Sequence, residues 1–296
     1  MRVVVFGSGG FIGSHVVSHL AAGGADVLSA DIVDTGQPNF VMVEDRGANF
    51  VELLGAAAPD VIVNCAGAAS VPQSIENPRR DFDLNVALAA AILDAIRKAA
   101  PGARFVNMSS AAVYGEPAKS PIAETAPVQP VSPYGWHKAQ AEVLCREYAT
   151  LFGLKCLSLR VFSAYGPGLK KQLFWDFFQK GRRSDIISMF GTGNETRDFI
   201  YVADIASALA TVIDRADFDG GVVNVASGRS VSVRDAVGAL ADALGWRKEV
   251  RFSGETRAGD PVAWQADISV LQALGFAPEF DLNRGLGKVG LWLNDV

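Results

Sequence analysis

The sequence predicts an α/β fold, a doubly wound parallel sheet with a smaller, mainly helical C-terminal lobe. Three observations carry that expectation. Short apolar runs alternate with helix-periodic segments through the first half of the chain, the pattern of successive βα units. The runs are continuously apolar, as in strands buried on both faces, and not alternately polar. After about residue 166 the alternation gives way to helical stretches broken by Gly, Pro and charge.

Taken in order, the predicted strands are RVVVFG, DVLSAD, PDVIVNCAG, ARFVNMSS and KCLSLRVFS, and the segments SHVVSHLAAGG and NVALAAAILDAIRKAA between them read as helices. GLKKQLFWDFFQKG, SVRDAVGALADALGW and DISVLQALGF read as helices of the second lobe, with Phe174, Trp175, Phe177 and Phe178 expected in its core. YVADIASALATVI followed by GGVVNVAS is one further βα-like unit, expected to return to the first sheet. The lobes should therefore be discontinuous, with residues 1–165 and about 197–227 in one, and about 166–196 and 228–296 in the other.

The 296 residues are 49% hydrophobic and 20% charged, the profile of a globular chain with enough apolar content for a sizeable core. A net charge of −5 excludes a general attraction to nucleic acid or an anionic membrane, so any bound phosphate must be gripped by local cations. Cys65, Cys145 and Cys156 lack C-x-x-C spacing, which suggests neither a disulfide framework nor a zinc ribbon, and Cys65 reads as a small packed residue. His15 and His19 are an i, i+4 pair without a recognisable third ligand, so no metal site is expected. The apolar run after Met1 is too short for a signal peptide and no later run approaches the ~18 residues of a membrane span, so a cytoplasmic location is expected.

The first strand runs straight into glycines, in VVVFGSGGFIGSH. Gly7, Gly10 and Gly13 fall between a strand and a helix, where they would permit a tight turn, close approach of a pyrophosphate, and close helix–strand packing. The helix N-terminus would then face the phosphates with unpaired N–H groups. Asp31 ends the second strand, where a carboxylate accepts hydrogen bonds from an adenosine ribose. It would repel a 2′-phosphate, and IVDTG offers no nearby Arg, so NAD is favoured over NADP.

In SPYGWHKAQAEVLCREYATLFG, Pro133 sits where a helix can start, which places Tyr134 and Lys138 one turn apart on a shared face. That spacing also suits an ordinary surface helix; downstream of a dinucleotide loop it reads as an acid/base pair. A cation near the phenol favours the phenolate. FVNMSSAAVYG ends a strand with Ser109 and Ser110, on the carboxyl edge where open α/β sheets bind ligands, and a serine there can hydrogen-bond a reacting hydroxyl.

With these motifs in place, the chain resembles the extended short-chain dehydrogenase/reductases, specifically the NAD-dependent epimerase/dehydratase group that acts on nucleotide sugars, on a Rossmann-type domain with a substrate lobe. The matching segments, in the same order, are GSGGFIGSH, NCAGAAS, SIENPRRDFDLNV, SSAAVYGEP, SPYGWHK, LRVFSAYGPG, GTGNETRDFIYVADIA, VVNVASG, RAGDP and LGFAPEFDLNRGL. The resemblance implies Tyr134 as the acid/base, Lys138 as the residue that orients the nicotinamide ribose and lowers the tyrosine pKa, and Ser110 in the Ser/Thr position of the site. It implies a cofactor set of Gly7, Gly10, Phe11, Ile12, Gly13, Asp31, Asp45, Ala66, Gly67, Asn85, Tyr134, Lys138 and Phe162. For the substrate it implies Ser110 and Ser163, Gln172 and Leu173 beside the nucleotide, Arg197 and Arg257 on the diphosphate, and Asp260 on the nucleoside ribose. Guanidinium forks suit a diphosphate bound by an acidic protein; the other reading of Arg197 is a structural partner for Asp198 or Glu195. The resemblance also implies a homodimer formed through the helices carrying residues 86 to 99 and 134 to 151.

Two departures stand out. Ser163 replaces the family's usual Asn, and His137 replaces the serine commonly found before the lysine. His137 is read as a packing residue in preference to a second proton carrier, because neighbouring helix residues face different ways. Dehydratases of the group usually carry an Asp-Glu pair directly after the Ser/Thr, and decarboxylases a Glu in the same turn, whereas this chain has Ala111 and Ala112. Elimination then lacks its acid/base, which leaves reversible hydride chemistry at one carbon. The expected reaction is 4-epimerisation of a nucleotide-diphosphate sugar through a 4-keto intermediate, and the segment FSAYGPGLKKQLFWD resembles enzymes of bacterial surface-polysaccharide assembly. The alternatives are NAD(P)H-dependent reduction of a 4-keto-6-deoxy nucleotide sugar and a non-catalytic NAD-binding regulator.

Overall fold

The computed structural model describes residues 1–37, 39–43, 49–255 and 263–296. Its strands are β1 (Arg2–Phe6), β2 (Asp26–Asp31), β3 (Phe40–Met42), β4 (Val61–Asn64), β5 (Arg104–Ser110), β6 (Lys155–Val161), β7 (Ser163–Tyr165), β8 (Ile186–Met189), β9 (Thr196–Tyr201), β10 (Asp219–Val225), β11 (Ser230–Ser232) and β12 (Glu249–Phe252). Its α-helices are α1 (Phe11–Ala22), α2 (Phe50–Ala57), α3 (Val71–Glu76), α4 (Pro78–Phe82), α5 (Leu88–Ala99), α6 (Pro133–Phe152), α7 (Gln172–Gly181), α8 (Val202–Arg215), α9 (Val233–Ala243), α10 (Ser269–Ala273) and α11 (Leu282–Asn294).

Seven parallel strands form the main sheet in the order β10-β6-β5-β4-β1-β2-β3. The five apolar runs of the first half are β1, β2, β4, β5 and β6, and GGVVNVAS supplies β10, which pairs with β6. Alternation along β1 shows why these strands are apolar on both faces. Val3 and Val5 pack with Val16, Val17 and Leu20 of α1 and Ile205, Leu209 and Val212 of α8. Val4 and Phe6 face the other way, onto Leu53 and Leu54 of α2 and Ile92, Leu93 and Ile96 of α5. Successive side chains of a strand point to opposite faces, so a sheet with helices on both faces leaves no solvent-facing position.

A second apolar body gathers Phe174, Phe177 and Phe178 of α7 with Val237 and Leu240 of α9 and Leu286, Val289 and Leu293 of α11. Two small sheets, β11-β9-β7 and β12-β8, brace it. The lobe is therefore helical with short strands that the apolar pattern did not reveal. Among the described residues no helix is long and apolar enough to cross a membrane.

Candidate active site

Strand order reverses between β1 and β4, and the carboxyl edge at that reversal is where an open α/β sheet binds its ligand. Gly7 stands there with φ +74°, and a Cβ on it would overlap the backbone of Ala66 just past β4, so only glycine lets the two strand ends close together. A Cβ on Gly13 would likewise overlap the Gly7 carbonyl. Gly10 is the N-cap of α1 and offers no side-chain cap, which leaves the amides at the start of that helix free for an anion. Phe11 begins the helix, and Ile12 packs against the core beneath it.

Asp31, at the end of β2, anchors this loop. Its Oδ2 accepts from Gly9 N at 2.9 Å and its Oδ1 from Ile32 N at 2.7 Å. Each oxygen has a second lone pair for a ribose hydroxyl.

The next group is built where α6 meets β5. Ser132 caps α6, accepting from Gly135 N at 3.2 Å, with Pro133 in the first helical position, so the helix start is fixed one residue before Tyr134. Gly135 allows the close approach, since a Cβ there would lie 2.5 Å from the Ala112 carbonyl and 2.9 Å from Pro130 Cβ. Ser110 ends β5 and caps the 3₁₀ turn Ala111–Tyr114, its Oγ accepting from Ala112 N at 3.2 Å. The Ser110 hydroxyl acts on the Tyr134 phenol as well, in the sense that favours its deprotonation.

Burial pushes the Tyr134 hydroxyl up to about 12, with the Ser110 hydrogen bond drawing it down and the negative charge of Asp81 adding to the rise. Burial pulls Lys138 down to about 8, against the charges of Asp81, Cys65 and Glu142. The Lys138 ammonium lies 5.9 Å from the centre of the Tyr134 ring and donates to the Met108 carbonyl at 2.9 Å. The help expected for the phenolate thus comes from Ser110 here, because the ammonium is directed to the strand end. Gly67 marks where Asn85 and Lys138 converge. A Cβ on it would stand 2.7 Å from Asn85 Oδ1 and 3.6 Å from Lys138 Nζ.

Three features fit a dinucleotide: the glycine cradle between β1 and β4, the uncapped start of α1, and Asn85 Oδ1, a buried acceptor beside Lys138 without a hydrogen-bond partner.

The structure brings Gly67, Asn85, Ser110, Tyr134 and Lys138 into one group and places the other predicted residues around it. Phe162 is buried, its ring 6.2 Å from Tyr114 and 5.9 Å from Trp264. Ser163 opens β7 and is half-buried. Gln172 heads α7 in a left-handed conformation, φ +68°, with Leu173 packed on the second core. Arg197 lies on β9, its Nη1 donating to the Thr196 carbonyl at 2.9 Å. The neighbouring acids have their own work: Asp198 accepts from Ser227 N, Ser227 Oγ and Ala266 N, and Glu195 folds the Thr192–Gly193 turn. Asp45, Arg257 and Asp260 lie outside the described residues.

Two features were missed from sequence. Arg160 and Glu142, both buried, form a two-pronged ion pair at 2.8 and 3.0 Å, and Glu142 also accepts from Ser109 Oγ at 2.6 Å. Asp81 is buried and bound to His137, which packs edge-on to Phe82 and also pairs with this carboxylate. An acid four residues before Asn85 was the available signal for it.

The family model for the NAD dependent epimerase/dehydratase family matches residues 3–226. A putative UDP-glucose 4-epimerase from Methanocaldococcus jannaschii is 32% identical over 304 residues, covering 99% of this chain and 98% of the relative. The low-salt glycan biosynthesis protein Agl12 from Haloferax volcanii is 32% identical over 302 residues, covering 97% and 96%. The crystal structure of UDP-glucose 4-epimerase from Thermus thermophilus in complex with NAD superposes with a TM-score of 0.89 at 29% identity, covering 99% of both chains.

Proposed function

The chain belongs to the NAD-dependent epimerase/dehydratase family and uses NAD, and from that premise we propose that it inverts C4 of the sugar in a nucleotide-diphosphate sugar, through a 4-keto intermediate. The observation that carries this reading is the gathering of Ser110 at the strand end with Tyr134 and Lys138 at the start of α6, followed by Ala111 and Ala112 where elimination would need a carboxylate. Tyr134 removes the proton of the C4 hydroxyl, Ser110 holds that hydroxyl and the phenolate together, and Lys138 with Asn85 holds the nicotinamide ribose. Bound NAD supplies a two-electron acceptor that returns what it takes, and its positive ring favours the phenolate that this site by itself disfavours. Tyr134 then gives the proton back after the keto sugar has turned about its diphosphate, which Arg197 grips together with Arg257. Asp260 is assigned to the nucleoside ribose, and Ser163, Gln172 and Leu173 to the rest of the substrate wall.

In the same reading, residues 1–165 with about 197–227 form the NAD-binding lobe, and about 166–196 with 228–296 form the sugar-nucleotide lobe. The reading also includes a cytoplasmic homodimer joined through α5 and α6, supported by the exposed apolar residues Trp136, Val143 and Leu151 along α6. The similarity to a glycan biosynthesis protein favours a role in supplying surface-polysaccharide sugars.

The test is an NMR time course over UDP-, GDP-, CDP- and dTDP-sugars, alongside mass spectrometry of the dinucleotide that purifies with the protein. Conversion to the C4 epimer without added reductant, abolished in Tyr134→Phe while NAD is retained, is the expected result. NADPH oxidation without epimer would establish the reductase instead, and silence across the panel a non-catalytic role.

A further inference from the structure

Asp81, near the end of α4, is 3% exposed. Its Oδ1 accepts from His137 Nδ1 at 2.6 Å and from Asn85 Nδ2 at 3.2 Å, and Asn85 Nδ2 also reaches the Asp81 backbone carbonyl at 3.2 Å. Carboxylate and carbonyl oxygens only accept, so the amide must present its NH₂ to Asp81 and its oxygen the other way. That oxygen is the buried acceptor beside Gly67 and Lys138 Nζ. Asn85 lies in a π-helical turn, Asp83–Ala87, a rare winding that recurs at functional sites. His137 is 12% exposed and is held on its other side by Phe82, ring centres 5.6 Å apart.

We propose that Asp81 and His137 are positioning residues of the cofactor site: the pair locks the Asn85 amide so that its carbonyl stays turned to the nicotinamide-ribose side, next to Lys138. The inference rests on the NAD-binding part of the reading above; only the pH arm of its test also needs the sugar and the reaction. The titratable groups that feel the Asp81 charge are Tyr134 and Lys138 of α6; Cys65, past the end of β4, and Glu142 act in turn on Lys138. On the solvent side Arg79 and Arg80 are exposed, Arg79 paired with Asp83 at 3.1 Å. The negative charge of Asp81 raises both Tyr134 and Lys138, so its removal moves both to lower values.

The experiment compares Asp81→Asn and Asp81→Ala with the wild type for NAD affinity, by calorimetry on protein stripped of dinucleotide and checked for folding by circular dichroism. The asparagine keeps an acceptor oxygen for His137 and Asn85, and NAD affinity is expected within about twofold of the wild type; the alanine frees the amide and should weaken NAD about tenfold, the worth of about one buried hydrogen bond. In Asp81→Asn the acidic limb of kcat/KM should move to lower pH by at least about half a unit, which loss of a merely structural contact would not do. Wild-type NAD affinity in Asp81→Ala, equal losses in both variants, or an unmoved limb would overturn the proposal. If Asp81→Ala does not fold, His137→Ala serves in its place: NAD weakened severalfold supports the lock, and unchanged affinity refutes it. Because the binding arm needs no sugar, it separates failure of this inference from failure of the epimerase reading.

Discussion

Ser110→Ala tests the link between the strand end and the phenol. In the structure the Ser110 hydroxyl draws Tyr134 down against burial and the charge of Asp81. A hydrogen bond to a charged group contributes about 1.5–3 kcal/mol, which at about 1.4 kcal/mol per unit raises the tyrosine pKa by about 1–2 units when the bond is lost. The base acts only when deprotonated. A raised pKa therefore carries the acidic limb of kcat/KM to higher pH, and at any fixed pH below the limb the rate falls about 10- to 100-fold. The loss should shrink as pH rises. Ser110 also caps the 3₁₀ turn through Ala112 N, so about 1 kcal/mol of stability goes with it, and thermal unfolding is measured beside the kinetics to separate the two. Ser110→Thr keeps a hydroxyl and should bring the limb back. An alanine variant whose profile keeps its position and loses activity uniformly, or loses less than about threefold, would refute the reasoning.

Three further outcomes follow from the geometry. Gly135→Ala places a methyl group 2.5 Å from the Ala112 carbonyl and must push the start of α6 outward; kcat should fall about 100-fold by misplacing Tyr134, with NAD still bound at the β1 loop. Glu142→Leu leaves the buried Arg160 guanidinium without its carboxylate and should cost about 3–5 kcal/mol in urea unfolding, whereas Glu142→Leu combined with Arg160→Met should cost less than either alone. Trp136→Arg, at a position 52% exposed on α6, should convert the proposed dimer to a monomer in size-exclusion chromatography with light scattering.

The parts of the fold that were legible are those decided by local pattern. A strand with helices on both faces has no solvent-facing position, so β1, β2, β4, β5 and β6 announce themselves as mainly apolar runs. β3 is three residues long and none of them is buried, and β7 and β11 are equally short, so no period has room to appear. The start of α6 was legible for the same reason as the main strands: Ser132 and Pro133 are a local cap, and the turn between Tyr134 and Lys138 follows from helix geometry alone.

What was not legible is the sign of the field at the phenol, because that is set by contacts between distant segments. The sequence offers a cation four residues from Tyr134 and suggests a lowered pKa. In the folded chain that cation is held by the Met108 carbonyl from β5, while a carboxylate from α4 presses in the opposite sense. His137 and Lys138 do face different ways, as neighbouring helix residues must: Lys138 reaches β5 and His137 reaches α4. The surprise lies on the α4 side, where His137 meets an acid 56 residues away in the chain and not merely an apolar surface. Helical spacing tells which side chains share a face; the charge that waits opposite that face belongs to another element, and here it adds to the rise that burial already imposes on the tyrosine.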